Sequence, residues 1–375
     1  MSTLKVNTIN AATSGQGVAV DVQNPKSFRN LIINGACAVA QRSTSPVTDD
    51  SYRTVDRFSL SYGGTDNHPT QARHALTSSD TGPWEKGFRY SFHVTNGDQT
   101  SGAGASDWME IYHYIEDQNI SQSGWDYTSS SSKLTISFWV KSSVAQKFYG
   151  FLYTNQAAAG DCKMYSFEIS NGGSNLTADT WTKITHTIPG DSSLTFNYDN
   201  TNGLAVGIFP FDGTSMTTSG HSLNTWAAWD ATNKLPDMTS TWWTTNDATF
   251  EITGVQLEVG DVATDFEHRS YGDELARCQR YYQLGEAGGG KIHSGGTTFA
   301  VTLPISPSMR TTPSVDLISG SNALDETWVG DKTISSISVY DARVDGSGVS
   351  GTCTSATGNA FCTLKSGSVA FIAEL

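Results

Sequence analysis

A segment of alternating aromatic and acidic side chains, residues 107–115 (DWMEIYHYI), is the part of the sequence best suited to ligand chemistry. If this segment is a β-strand, one face presents four of its side chains, Trp108, Glu110, Tyr112 and Tyr114. Aromatic rings stack against the CH groups of a pyranose, and a carboxylate accepts hydrogen bonds from its hydroxyl groups. The pattern therefore predicts a sugar-binding sheet face. The alternative is that loops or a second sheet cover these side chains.

Three further tryptophans extend this predicted surface. Trp139 falls on the strand face opposite the apolar side chains of residues 134–140. Trp226 and Trp229 open a segment, residues 226–243, that carries four Trp without strand periodicity and is predicted to be a long loop. A Trp-rich loop at the rim of a sandwich either forms a binding platform or plugs the end of the core, and the sequence leaves both open.

Known catalytic motifs are absent from the sequence, which has no GxSxG, no HExxH and no P-loop glycine pattern. Four glutamates lie on or beside predicted strands, Glu110, Glu168, Glu251 and Glu258. A pair of carboxylates for glycoside hydrolysis stays open, because the sequence does not give the distance between two side chains in space. We predict no catalytic residue and a protein that is not an enzyme.

Signals for metal sites and disulfides are weak. The predicted loops carry scattered carboxylates without EF-hand spacing, Asp191, Asp199, Asp230 and Asp237, so no metal ligand is assigned. The five cysteines lack CxxC spacing, which fits neither a zinc site nor a dense disulfide framework, and most are predicted to be buried thiols. A disulfide between Cys353 and Cys362 across a hairpin stays open on geometric grounds.

The overall charge argues against two classes of partner. A formal charge of -14 and a pI near 4.9 disfavour nucleic acid and anionic membranes, which bind basic patches. No run of residues approaches the roughly 18 apolar positions of a membrane-spanning helix. Residues 1–20 also lack the pattern of a signal peptide. The chain is therefore predicted to be made in a cytoplasm and to insert into no membrane.

Alternating apolar residues between polar turns predict an antiparallel two-sheet sandwich over residues 28–269. The apolar phase slips by one residue after Gly254, which predicts a bulge there. Ser270, three residues before Asp273, predicts a capped helix, assigned to residues 270–285. The glycine-rich stretch 285–296 is predicted to be a flexible connector, and residues 286–375 to form a smaller C-terminal β domain.

Four blocks of sequence carry a resemblance to a known family. They are NLIINGACAVAQRST (30–44), YRTVDRF (52–58), KLTISFWVKSS (133–143), and ITGVQLEVG (252–260) continuing through TDFEHRS to DELARCQRYYQ (273–283). In this order they resemble the lectin-like, carbohydrate-binding-module-like jelly-roll domain of tail-fibre and appendage proteins of tailed bacteriophages. The resemblance implies that the sandwich is a jelly roll with the first two blocks as its opening strands. It also implies that Asp56 or Glu267 pairs with Arg57 or Arg269.

The expected fold class is thus mostly β, an antiparallel jelly-roll sandwich followed by a short helix and a smaller C-terminal β domain. The resemblance implies a virion structural protein, a homotrimer whose residues 1–27 attach to other phage tail or virion proteins. It further implies binding of host surface polysaccharide during adsorption, with the C-terminal domain serving trimerisation or receptor contact. The alternative for residues 1–27 is a disordered leader.

The sequence predicts no cofactor, whereas the resemblance implies a possible structural Ca²⁺, because jelly rolls of the carbohydrate-binding type often hold one. Two rival functions stay open. One is a head or collar fibre that binds no glycan, and it predicts that the aromatic stripe of residues 108–114 is buried. The other is a depolymerase of the surface polysaccharide, which predicts two facing carboxylates beside an aromatic groove.

Overall fold

The computed structural model describes residues 29–154, 161–318, 323–327, 329–341 and 343–375. The predicted attachment segment, residues 1–27, lies outside these ranges. The helices are α1 (Asp117–Ser121), α2 (Thr241–Thr244) and α3 (Tyr271–Gln279), with a 3-10 turn at Trp84–Lys86. No helix in the described ranges combines the length and the apolar character needed to cross a membrane.

Within the described ranges, eleven strands precede helix α3: β1 (Ser59–Gly63), β2 (Thr70–Ala75), β3 (Tyr90–Thr95), β4 (Trp108–Glu116), β5 (Lys133–Ser142), β6 (Phe148–Thr154), β7 (Lys163–Ile169), β8 (Thr182–Pro189), β9 (Asn202–Asp212), β10 (Trp226–Ala228) and β11 (Thr249–Val259). The strands that follow are β12 (Tyr282–Leu284), β13 (Gly288–Ile292), β14 (Thr298–Pro304), β15 (Ser314–Leu317), β16 (Leu324–Glu326), β17 (Gly330–Lys332), β18 (Ile334–Asp341), β19 (Gly346–Cys353), β20 (Phe361–Leu364) and β21 (Val369–Ile372).

Strands β1 to β11 form two antiparallel sheets whose inner faces share one core. The six-stranded sheet has the order β1–β4–β9–β6–β7–β10, and the five-stranded sheet has the order β2–β3–β11–β5–β8. Successive side chains of a strand point to opposite faces, so every second residue enters the core. Phe92, Ile136 and Ile208 are examples, each at most 2% exposed. The predicted fold class, with its jelly-roll sandwich, short helix and smaller C-terminal β domain, is confirmed.

Strand β11 contains the predicted bulge. Its pairing with β5 shifts register between Thr253 and Gln256, and Gly254 has a φ angle of 63°. A Cβ atom on Gly254 would lie 2.6 Å from the Phe88 ring. Glycine therefore permits both the left-handed backbone and the close approach of this ring, and the prediction of a bulge from the phase slip is confirmed.

The first two blocks of the resemblance do not form the expected opening strands. Residues 30–44 and 52–58 consist of bends, turns and irregular backbone, and strand β1 begins only at Ser59. Strand β3 pairs with β11 only as far as Ile252. Beyond that point the Asn30 side chain takes the place of a ladder, donating to Val255 O (3.1 Å) and accepting from Leu257 N–H (3.1 Å). Leu31 N–H also donates to Leu257 O (2.9 Å), and Val255 N–H donates to Gly35 O (2.9 Å), so this block contacts β11 through isolated bonds around a side-chain amide. The prediction of strands here was wrong because no continuous ladder forms.

Helix α3 begins where it was predicted and ends earlier. The Ser270 side chain caps it by accepting a hydrogen bond from Asp273 N–H (3.2 Å). The helix ends at Gln279, and Tyr282 already begins strand β12, although helix was expected as far as residue 285. Tyr282 pairs with Ile372 of β21, so strand pairing overrides the helical periodicity of this stretch.

One of the ion pairs implied by the resemblance is present. Arg269 Nη2 lies 2.9 Å from Glu267 Oε2, which confirms that pair. Asp56 lies instead 3.9 Å from Arg42, and Arg57 pairs with Glu374 near the end of the chain.

The C-terminal β domain contains a three-stranded sheet, β12–β21–β15, and a seven-stranded sheet, β17–β16–β20–β13–β14–β19–β18. Strand β13 falls within the predicted flexible connector, yet it pairs with both β14 and β20. A Cβ atom on Gly290 would lie 1.9 Å from Ala300 O, and one on Gly288 would lie 2.3 Å from Thr302 O. The connector prediction was wrong, because these glycines allow close backbone contact inside a sheet.

Buried charges join the C-terminal region to the sandwich. Arg57 is fully buried and pairs with Glu374. Glu116 of β4 accepts hydrogen bonds from Arg280 Nε (2.7 Å) and from Tyr281 OH (2.6 Å) just after helix α3. Because such pairs are costly to break, these contacts hold the end of α3 and the C-terminal strand against the sandwich.

All five cysteines are buried thiols, as most were predicted to be. Cys353 and Cys362 both lie in the core of the C-terminal domain without a bond between them. Burial raises the pKa of the Cys362 thiol to about 11, with Cys353 and Glu326 adding to the shift. Both groups therefore behave as packed thiols.

Candidate functional site

Strand β4 presents the predicted stripe on the outer face of the six-stranded sheet. Trp108, Tyr112 and Tyr114 are half-buried there. The side chains between them are buried on the inner side, Met109, Ile111, His113 and Ile115. The two faces of the strand therefore divide as the alternation predicted. Glu110 differs from the aromatic residues beside it because only 7% of it is exposed.

A lysine from the segment 213–240, which packs over this outer face, accounts for the burial of Glu110. Lys234 Nζ contacts Glu110 Oε1 and lies 2.7 Å from Asp212 Oδ2. Burial lowers the pKa of Lys234, but the two carboxyl groups raise it more, so the ammonium stays charged. Burial and the neighbouring Glu110 raise the pKa of Asp212, which favours a proton on that carboxyl. Glu110 thus belongs to a buried charge cluster and does not present the open carboxylate that the sequence predicted.

Apart from Trp108, four half-buried aromatic side chains on this outer face form what we call the tyrosine patch: Tyr112, Tyr114, Tyr153 and Trp229. Tyr112 and Tyr114 stack with ring centroids 5.5 Å apart and planes 13° from parallel. The rings of Tyr153 and Trp229 are in contact, with centroids 4.4 Å apart. Tyr114 and Tyr153 pair with Ala205 from opposite sides, so their Cα atoms lie two strand spacings apart, about 10 Å. The patch therefore consists of two aromatic pairs that flank one strand.

The phenol groups of the patch are neutral hydrogen-bonding groups. Tyr112 OH donates to Glu110 Oε2 at 2.6 Å, which positions its ring. Burial, together with the charge of Glu110, raises the pKa of Tyr114 to about 12. Burial and a hydrogen bond with Cys162 raise the pKa of Tyr153 above its ordinary range. At neutral pH each phenol keeps its proton beside an apolar ring, and because Tyr112 already donates to Glu110, its oxygen remains available only as an acceptor.

The Trp-rich segment 226–243 serves more than one purpose. The ring of Trp229 belongs to the tyrosine patch, and the backbone N–H of this residue donates to Cys162 O at 2.9 Å. Trp226 turns toward the core, 5.5 Å from the Tyr165 ring, and its Nε1 donates to Pro189 O at 2.7 Å. Trp242 and Trp243 are fully buried in the sandwich core. Of the two roles left open, plugging the core describes Trp242 and Trp243, whereas Trp229 faces outward.

Trp108 and Trp139 lie away from the patch. The Trp108 ring packs on Gly63, where a Cβ atom would approach it to 2.2 Å. Trp139 projects from β5 on the outer face of the other, five-stranded sheet, where it lines a groove of about 570 Å³ with Phe88, Lys183, Phe266 and His268. Burial lowers the pKa of Lys183 to about 8. The structure thus divides the predicted residues between two outer faces on opposite sides of the sandwich.

The other glutamates considered for hydrolysis each hold a cationic partner. Glu168 lies 3.0 Å from Lys147 Nζ, Glu258 lies 3.5 Å from Arg29 Nε, and Glu251 lies 2.9 Å from Lys141 Nζ. The loop carboxylates organise local structure instead. Asp191, Asp199 and Asp230 each accept a hydrogen bond from the backbone N–H two residues later, the geometry of an Asx turn.

Sequence reasoning missed several residues of these two faces. Tyr153 lies in the run FYGFLYT (148–154), where the same alternation that singled out Tyr112 and Tyr114 offered a usable signal. Lys234 gave no signal, because nothing in its own segment points to Glu110. His74, His93 and Glu251 meet on the five-stranded sheet, and their distance in sequence hides the cluster.

No family model matches the chain, and no curated protein matches it. Among solved structures, it is similar to the xylan-binding domain of Paenibacillus barcinonensis Xyn10C, with 9% identity over 60% of this chain and 99% of that one, at a TM-score of 0.26. It is also similar to TmCBM61, solved with β-1,4-galactotriose, with 8% identity over 62% of this chain and 99% of that one, at a TM-score of 0.27. TM-scores this low support neither a fold nor a function for this chain. The fold assignment therefore rests on the order of its own strands in the sheets.

Proposed function

We propose that the chain is a subunit of a bacteriophage tail fibre or similar virion appendage that binds a host surface glycan through the tyrosine patch. The observation that carries the glycan-binding part is the patch itself, where two aromatic pairs stay half-buried on an outer sheet face. Their rings offer stacking surfaces for pyranose CH groups, and their neutral phenols offer hydrogen bonds to hydroxyl groups. The alternative position for a glycan is the Trp139 groove on the opposite face.

Binding of this kind is weak at each site. A stacked aromatic ring contributes on the order of 1 kcal/mol beyond its buried area. Firm adhesion then depends on several copies binding one polymer at once, because linked sites convert later binding steps into intramolecular ones. A trimeric appendage present in many copies supplies this multivalency.

The virion part of the proposal is supported by the four sequence blocks in residues 30–283, which follow the order found in tail-fibre and appendage proteins. On this proposal, residues 1–27 attach the subunit to the particle and the C-terminal β domain contributes to trimerisation or receptor contact. The mass of the full chain in solution tests the assembly. We expect the mass of three chains, and a stable monomer would contradict it.

The test of glycan binding is to pass the purified full chain over immobilised surface polysaccharide from candidate hosts, and to measure the length of soluble polymer after incubation. We expect retention, an unchanged polymer length, and loss of retention in Trp229→Ala at an unchanged melting temperature. Shortening of the polymer would indicate a depolymerase. Neither retention nor shortening with any host polysaccharide would favour a fibre that binds no glycan.

A further inference from the structure

The outer face of the five-stranded sheet carries a cluster of metal-ligand side chains that glycan binding does not use. His74, His93 and Glu251 each offer one ligand atom, and these three atoms lie within 4.8 Å of one another. They come from the adjacent strands β2, β3 and β11. Strand pairing fixes their positions, since Glu251 lies opposite His93, and His74 lies opposite Ser91. A rigid sheet therefore holds the three ligands together before any ion arrives.

We propose that His74, His93 and Glu251 form a binding site for a divalent first-row transition ion of the Zn²⁺ class. Two imidazole nitrogens and one carboxylate suit such ions, whereas Ca²⁺ prefers oxygen ligands throughout. His74 Nδ1 lies 3.1 Å from Glu251 Oε2, and His93 Nδ1 lies 3.3 Å from Glu251 Oε1. Tetrahedral ligands about 2.1 Å from Zn²⁺ lie about 3.4 Å from one another, so small side-chain movements are enough.

Hydrogen bonds outside the cluster orient two of the ligands. His93 Nε2 lies 3.0 Å from Thr95 Oγ1, and donation from this nitrogen leaves the Nδ1 lone pair directed at Glu251. That Nδ1 atom is buried, and no hydrogen-bond partner for it exists among the described residues. Ser91 Oγ donates to Glu251 Oε2 at 2.6 Å. Support of this kind is what fixes the tautomer and rotamer of metal ligands in known sites.

The site is open on one side. The His74 side chain is 48% exposed, while Glu251 is almost completely buried beneath it. An ion held by these three residues therefore faces solvent at its remaining position. Three protein ligands with one open position allow water or a small oxygen ligand to complete the coordination.

Lys141 competes with the ion for Glu251. Its Nζ lies 2.9 Å from Glu251 Oε1 and 3.1 Å from Asp80 Oδ1, so the ammonium neutralises both carboxylates when no metal is bound. A bound dication would repel this ammonium toward Asp80, which Trp181 Nε1 also holds at 3.0 Å. Lys141 therefore lowers the affinity of the site, and replacing it by an uncharged side chain of similar length raises the affinity.

The experiment titrates Zn²⁺ alone into chelator-treated full-length protein by calorimetry, and records the visible spectrum with Co²⁺ alone. We expect one ion per chain and a Co²⁺ spectrum without the charge-transfer band of a thiolate ligand. His74→Asn and His93→Asn should each weaken binding at least about 100-fold, since even loss of a supporting residue costs 10–100-fold. His68→Asn, which alters an exposed histidine outside the cluster, should bind as the parent does. Lys141→Met should bind about tenfold more tightly, because the like-charge repulsion is removed.

Four results would overturn the proposal. They are no uptake of Zn²⁺ by the parent, unchanged binding in both histidine variants, equal loss in His68→Asn, or weaker binding in Lys141→Met. The melting temperature in chelator monitors folding, and the exposed position of His74 keeps its variant decisive if His93→Asn does not fold. Saturating Zn²⁺ should raise the melting temperature of the parent and leave that of His74→Asn unchanged.

Discussion

The outer faces of the two sheets arise from the same alternation but carry different chemistry. On the six-stranded sheet, the outer face carries a cluster of aromatic side chains from β4, β6 and β9, and residues 213–240 pack over part of it. On the five-stranded sheet, strands β2, β3, β11 and β5 present His74, His93, Glu251 and Lys141 in one polar cluster. The inward side chains of both sheets are alike, buried and apolar with few exceptions such as His113.

This difference shows that the fold restricts the inward-facing positions of each strand and not the outward-facing ones. The core requires apolar residues at every second position of both sheets, and it leaves the intervening positions free to differ. The two outer faces also differ in how far their charged groups are exposed to solvent. Lys234 and its carboxyl partners are buried, whereas His74 keeps the Glu251 cluster in contact with solvent.

The largest effect is expected on the aromatic face from Lys234→Met. The substitution leaves Glu110 and Asp212 buried without their cation, and loss of one partner of such a cluster costs about 3–5 kcal/mol of the free energy of unfolding. Urea denaturation measures it. The matched control is Lys147→Met, which removes a partly exposed pair with Glu168 and should cost at most about 1 kcal/mol. Equal costs would mean that burial does not make the Lys234 cluster more important for stability than a partly exposed ion pair.

On the polar face, Glu251→Gln should make the free energy of unfolding less dependent on pH in the acid range. Burial alone would raise the pKa of Glu251, but the imidazoles of His74 and His93 and a hydrogen bond from Ser91 hold it well below the ordinary range. The stabilisation that ionised Glu251 contributes is therefore complete above the unfolded-state pKa of a glutamate, about 4.3. It is lost as the pH falls toward the lower pKa of Glu251 in the folded state. Unfolding free energies measured between neutral pH and acid should fall less steeply in Glu251→Gln. The exposed Glu286→Gln should follow the parent, and identical curves for all three proteins would refute the prediction.

A smaller effect is expected for sugar binding at the tyrosine patch. Tyr153→Ala removes one stacking ring, so affinity for the retained polysaccharide should fall about fivefold, the equivalent of about 1 kcal/mol. Tyr153→Phe keeps the ring and loses the hydroxyl, and it separates stacking from hydrogen bonding. Calorimetry with soluble polymer measures both. Affinity that stays unchanged in Tyr153→Ala would remove this ring from the binding surface.

The smallest effect is expected for Trp139→Ala. The ring lines the groove on the opposite face, so polysaccharide retention should match that of the parent, even where the melting temperature falls through lost packing. Retention measured below the melting temperature of both proteins checks this. Loss of retention would move the glycan site to the five-stranded sheet.

Local patterns allowed part of this structure to be predicted from the sequence. The bulge at Gly254 and the Ser270 cap depend on residues a few positions apart, so the sequence contained the whole signal. The stripe on β4 was predictable for the same reason. The alternation of residues 148–154 in β6 gives the same kind of signal for Tyr153.

The remaining features depend on contacts between distant parts of the chain. The glycines of β13 look like a linker in isolation, and only the position of Ala300 O shows why side chains are excluded there. The burial of Glu110 depends on Lys234, which arrives from another segment. The cluster of His74, His93 and Glu251 exists because β3 lies between β2 and β11, a strand order that the sequence does not state.

The most direct test of the central claim is a crystal structure of the full chain with an oligosaccharide fragment of the polysaccharide that it retains. We predict a sugar ring stacked on Tyr114, Tyr153 or Trp229, on the outer face of the six-stranded sheet. A sugar bound against Trp139 on the five-stranded sheet would contradict the assignment of the glycan site to the tyrosine patch.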